Sequence, residues 1–106
     1  MGYFSIPAYK PKPGKEQELL EAVKDHMKVL KSQGFVTERP AYVMRAKDGT
    51  ILEIFEWKSK ETIQQAHKNE AMLALWKRFN DACEYRKLVE IAECTDMFAS
   101  FESVEI

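Results

Sequence analysis

The residues best equipped for chemistry cluster between Gly49 and Glu84, in GTILEIFEWKSKETIQQAHKNEAMLALWKRFNDACE, which holds both tryptophans, Trp57 and Trp76, and one of the two histidines, His67. His67 is the sharpest candidate: an imidazole serves as acid or base near neutral pH. It falls beside Ala66 on the inner stripe of a helical segment. The competing role is a ring that packs and hydrogen-bonds a backbone group. His26 adjoins another helical stripe beside Met27 and reads as an edge residue. Trp57 and Trp76 can wall a pocket for a flat ligand, since aromatic rings offer large area at low entropy cost; they serve equally as core. Tyr42 and Tyr9 can present hydroxyls to such a pocket. Glu53 and Glu56 sit on opposite faces of a central strand, and a carboxylate on a covered face needs a partner or a raised pKa. Arg39 and Arg45 on the neighbouring strand are the natural partners, in a salt bridge across the hairpin or a subunit seam, and Glu90 and Glu93 carry the same ambiguity. No paired-carboxylate, phosphate-loop, Ser/His/Asp or metal-cluster motif is present. Cys83 and Cys94 have no zinc-ligand spacing; two buried thiols in a reducing cytosol is the simple reading, a disulfide from a helix end to the next strand the other.

Composition narrows the classes. A chain of 106 residues, 45% hydrophobic, is expected to form one domain, residues 1–106, with a real core. Its 16 basic and 17 acidic residues leave a net charge of −1, which argues against nucleic acid or an anionic membrane as partner. The opening MGYFSIPAYK has neither the basic start nor the long apolar run of a signal peptide. Met1-Gly2 is followed by Ile6 where a myristoylation signal needs Ser or Thr. Apolar runs are too short to span a bilayer, so the expected location is the cytoplasm.

The elements that must position these residues follow in order. YFSIPAY (3–9) reads as a strand held to an edge or bulge by Pro7, and Pro11, Pro13 and Gly14 make a turn. From Lys15 to Gln33, Leu19, Leu20, Val23, Met27 and Leu30 recur at three- and four-residue steps, one helical stripe. Glutamates early and lysines late suit its dipole, and Gly34 ends it in a left-handed cap. A second strand, Phe35–Lys47, is interrupted by Pro40; Asp48-Gly49 is a hairpin turn; a third strand spans Thr50–Lys58. On that strand Ile51, Glu53, Phe55 and Trp57 share one face and Leu52, Ile54, Glu56 and Lys58 the other, so both faces are expected to be at least half covered. Ser59 is an N-cap candidate without the Glu of a full capping box. The following helical segment should break near Lys68–Glu70. RKLVEIAECT (86–95) alternates as a fourth strand, and the apolar tail DMFASFESVEI is expected to add another.

The order β-α-β-β-α-β plus a terminal strand is a ferredoxin-like α+β arrangement with an antiparallel sheet. Both helices on one face leave the other open, and burial of that face in a homodimer, through the open sheet face and C-terminal strand, would cover it. Lys12-Pro13-Gly14-Lys15 before a glutamate-rich helix, the strand end Glu56-Trp57-Lys58-Ser59, His67 some ten residues on, and the closing Phe98-Ala99-Ser100-Phe101-Glu102 together resemble the antibiotic-biosynthesis-monooxygenase-like group of the dimeric α+β-barrel superfamily. The resemblance implies that fold and dimer. It also implies one of several activities: cofactor-free monooxygenation, haem degradation or decyclisation. The haem-degrading branch carries an Asn on the first strand, absent here, and its Trp and His would fall near Ala66 and Trp76. The quinone-forming members' Asn, Trp and Tyr find no residue-by-residue match. If the chain is an enzyme, it resembles a cofactor-independent monooxygenase acting on a small aromatic or quinone-like compound, with His67 as base, Trp57, Trp76 and Tyr42 as walls, and no metal or cofactor. The alternative is a non-catalytic ligand-binding or assembly module on the same dimeric fold.

Overall fold

The strand Ile51–Trp57 is rich in β-branched and aromatic residues and is paired along both edges. It is the element on which the rest of the chain is laid. The structure, a computed structural model, describes residues 2–106. In chain order it forms β1 (Tyr3–Ser5), β2 (Ala8–Pro11), α1 (Glu16–Ser32), β3 (Tyr42–Arg45), β4 (Ile51–Trp57), α2 (Lys60–Ala66), α3 (Glu70–Ala82), β5 (Cys83–Arg86) and β6 (Glu102–Ser103). The strands make one antiparallel α+β sheet in the order β5-β2-β4-β3-β6, with β1 also paired to β4. That order is consistent with the ferredoxin-like arrangement.

The first strand is split where Pro7 removes a ladder donor. Register is nevertheless kept across the gap: Ser5 faces Phe55, Ala8 faces Leu52, and the Glu53 amide donates to the Pro7 carbonyl in between. The hairpin turn closes through Ala46 N–H to Thr50 O, with Gly49 at φ +92°. Gly34, at φ +73°, takes the left-handed conformation after α1. The break between the second-half helices falls where expected: α2 stops at Ala66, and Asn69 caps α3 by accepting from the Met72 amide. Ser59 does cap α2. The box is completed by the Thr62 hydroxyl in place of a glutamate.

Alternation along β4 sorts the core. Ile51, Glu53, Phe55 and Trp57 are all buried on the face that meets α1, α2 and α3 through Leu19, Val23, Leu30, Ala66, Met72 and Phe79. Leu52, on the other face, is buried in a smaller cluster with Ala8, Ala46 and Ile91. Coverage of both faces is therefore met at Leu52. Toward the far end, Phe4 and Tyr42 are 58% and 65% exposed.

Two expectations fail in the last third. The fourth strand is Cys83–Arg86, immediately after α3; residues 88–95, read as strand, form 3₁₀ turns at Leu88–Glu90 and Ala92–Thr95. The alternation there is real, but the polar residues satisfy backbone groups of turns instead of a strand ladder. Glu90 accepts from the Lys87 amide, Thr95 donates to the Ala92 carbonyl, and buried Glu93 accepts from the Lys47 amide. Ile91 thereby becomes the plug on the second sheet face. The turn also leaves Cys94 exposed; Cys83 is buried, and both thiols are free. The tail does add the expected further strand, the short β6 against β3. No helix is long and apolar enough to cross a membrane among the described residues.

Candidate functional site

Between the helix-facing side of the sheet and the helices lies a cavity of about 620 Å³, within the range of small-molecule sites. β4 supplies Phe55 and Trp57, α2 supplies Ile63 with His67 at its end, and α3 supplies Trp76 and Phe79. Ser5, Pro7 and Tyr9 come from the split first strand, His26 from α1, and Asn80 and Tyr85 complete the lining with Ile6. Among the described residues, no group of three or more His, Cys, Asp or Glu side chains is arranged to hold a metal.

Of the residues selected from sequence, His67, Trp57 and Trp76 meet in this cavity. Tyr42 does not. Its neighbour Val43 opposes Glu53 on the helix side, so pleating turns Tyr42 to the opposite face, where it pairs with Ile54 and lies exposed. Its assignment as a wall is corrected accordingly. Trp57 is fixed by its indole N–H donating to the Ser5 hydroxyl at 2.8 Å. His67 is exposed at the C-terminus of α2, its ring 5.0 Å from that of Trp76. Its Nδ1 lies 2.8 Å from the Ile63 carbonyl oxygen. A carbonyl only accepts, so Nδ1 carries the proton and Nε2 is the free position.

The stronger arrangement is one that sequence placed at an edge. His26 is 3% exposed and Glu53 is fully buried. The His26 Nδ1 sits 2.9 and 3.1 Å from the two carboxylate oxygens of Glu53, and the Tyr9 hydroxyl donates to Oε1 at 2.8 Å. An ionised carboxylate is an acceptor only, so two converging donors fit that form and place the imidazole proton on Nδ1. Nε2 is left with its lone pair. It makes no hydrogen bond, and His26 is among the residues that line the cavity. The ring itself is clamped edge-to-face between Phe55 and Phe79, each with centroids 5.3 Å away. The result is a carboxylate-oriented imidazole with fixed tautomer, lining an open, mostly apolar cleft.

The expected arginine pairing is met at Glu56 but not at Glu53. Arg39 pairs with Glu56 at 2.8 Å, and Arg45 bonds Glu16 and Glu102. Glu53 therefore has His26 where an arginine was anticipated. The signal was present in the sequence: His26 lies three residues after Val23 and four before Leu30, within the buried stripe of α1. A histidine in one apolar stripe and a glutamate on one apolar strand face are mutual partners by elimination.

Burial pushes the Tyr9 hydroxyl well above its ordinary range, and the Glu53 charge adds to that, so Tyr9 stays a donor. Burial likewise pushes the Cys83 thiol up to about 11 and Tyr85 up to about 12. All three groups hold their protons more tightly folded than unfolded. Their contribution is whole below the unfolded values and is lost as pH rises through the folded ones. We expect stability to decline from pH 9.0, the ordinary thiol value, through about 11. Replacing Cys83 with Ala should remove on the order of 1 kcal/mol of that decline, followed by urea titration at stepped pH; a decline unchanged in the variant would disprove the assignment.

No family model, curated protein or solved structure matches the chain.

Proposed function

We propose that the chain is an enzyme of the dimeric α+β-barrel type that carries out base-driven, cofactor-independent oxygenation of a small aromatic or quinone-like compound. The observation that carries this reading is the His26–Glu53 pair at the wall of an aromatic cavity. A general base must reach the proton it removes and keep its lone pair aimed at it. His26 lines the cavity with Nε2 unbonded, which suits that role, whereas His67 stands at the exposed rim. For a dihydroxyarene, Nε2 takes a ring-hydroxyl proton, and Glu53 balances the imidazolium that forms. The electron-rich ring then reduces dioxygen: a carbon–oxygen bond forms, the oxygen–oxygen bond breaks, and the products are a hydroxyquinone and water. All electrons come from the ring, so no bound redox group is required.

Oxygen uptake with a panel of hydroquinones tests the reading. His26→Gln should slow turnover by about 10²–10⁴-fold, the span of a lost general base. His67→Ala should cost less than about ten-fold. Native rates in the His26 variant would remove the base from the scheme.

The non-catalytic alternative, an assembly module, draws on Phe4, Tyr42, Met97 and Phe98, all exposed. We read the open sheet face and the C-terminal strand as the homodimer contact in either case. Light scattering on the purified chain would sink the dimer by returning the mass of one copy.

A further inference from the structure

The cavity that holds His26 is notable for the charges it lacks. Its lining comprises aromatic, aliphatic, hydroxyl, amide and imidazole groups; among the described residues that line it there is no lysine, arginine, aspartate or glutamate. The carboxylate nearest in the network, Glu53, is fully buried behind His26 and already accepts two donors. Three cations on neighbouring segments are engaged outside the lining. Lys12 donates to the backbone carbonyl of Asn80 at 2.7 Å, Arg78 pairs with Asp25 at 2.9 Å, and Lys60 lies over the Tyr3 ring.

The geometry points to a site that selects its ligand by charge. It admits a flat, neutral ring bearing an ionisable hydroxyl, and rejects the same ring bearing a permanent carboxylate. A neutral phenol gives up little solvation on entering an open, mostly apolar cleft and finds an acceptor at His26 Nε2. A carboxylate must shed its water and meets no cation in exchange, while the negative Glu53 stands behind the one imidazole that could receive it. Charge created during reaction is handled differently from charge brought in. When His26 takes the hydroxyl proton, anion and imidazolium appear together and the net charge of the site does not change. The hydroxyl ligand rests on the base chemistry proposed above; the rejection of carboxylates rests on the lining alone.

The test is calorimetric titration of the native protein with 2-naphthol and 2-naphthoate at about pH 7.5, where a phenol is protonated and a carboxylate is not. Naphthol should bind at least about ten-fold more tightly than naphthoate. Asn80 is exposed on α3 at the cavity rim, so Asn80→Lys adds a cation without disturbing the core. That variant should raise naphthoate affinity about five-fold or more and leave naphthol within about two-fold. Equal affinity for the two rings, binding of neither, or naphthoate affinity unmoved in the lysine variant each overturns the inference. Calorimetry needs no turnover, so the two ideas separate. An inert protein that prefers naphthol would end the oxygenase reading alone, and an active one without the preference would end this one alone.

Discussion

Glu53→Gln should give a folded protein whose base is silenced. The amide is nearly isosteric with the carboxylate, but it brings a donor where Glu53 has only acceptors. Tyr9 and His26 Nδ1 both donate to Glu53 Oε1, at 2.8 and 2.9 Å, and Oε2 lies 3.1 Å from the same Nδ1; an amide that keeps its oxygen at the Oε1 position sets its NH₂ against the Nδ1 proton. The relief available to His26 is to surrender the Nδ1 proton and carry it on Nε2. The position facing the cavity is then a donor, and proton abstraction stops. Turnover should fall by roughly 10²–10⁴-fold, with the tautomer change visible in ring-nitrogen NMR. Glu53→Ala should be worse for the fold, costing on the order of 3–5 kcal/mol by stranding two buried donors. A glutamine variant with native turnover and an unchanged Nδ1 proton would show that Glu53 does not orient the ring.

The second large effect is expected at Phe79. This ring is 1% exposed, stacks on Tyr9 with centroids 4.8 Å apart, and meets His26 edge-to-face at 5.3 Å. Truncation to Ala removes core area and leaves a void that the rigid sheet cannot close. Urea unfolding should report a loss of about 3–5 kcal/mol. Val89→Ala, at a side chain 79% exposed, should change stability by less than about 0.5 kcal/mol. Activity should drop further than stability in the Phe79 variant, because the clamp that keeps His26 in one rotamer is half removed. Similar losses for the two variants would contradict the placement of Phe79 at the centre of the core.

The frame was largely legible because its signals are local. The α1 stripe, the Asp48-Gly49 turn, the Ser59 cap, the helix break near Lys68–Glu70 and the alternation of β4 each depend on neighbours in the chain, and each is found. What misled was local pattern without local consequence. Residues 86–95 alternate like a strand, yet Glu90 spends its carboxylate on the nearby Lys87 amide and Glu93 spends its own on that of Lys47, far away in sequence. The site was half legible for the same reason. Trp57, His67 and Trp76 were chosen for type and do share a cavity. His26 and Glu53 were each seen, but they were not matched, since the partner of Glu53 was sought on the adjacent strand and the true one reaches across from α1. Tyr42 shows the cost of choosing by residue type without strand parity.

The double pairing of β4 has a consequence for how long the base survives when the molecule breathes. Glu53 rides on a strand hydrogen-bonded along both edges, and its own amide is tied to Pro7. Its opening therefore requires the sheet itself to come apart, and amides of that kind exchange with solvent only through global unfolding. His67 stands at the opposite extreme, one residue past the end of a short helix and beside the break at Lys68–Asn69. The rim of the cavity can fray and re-form many times while Glu53, the carboxylate that holds His26, stays in register.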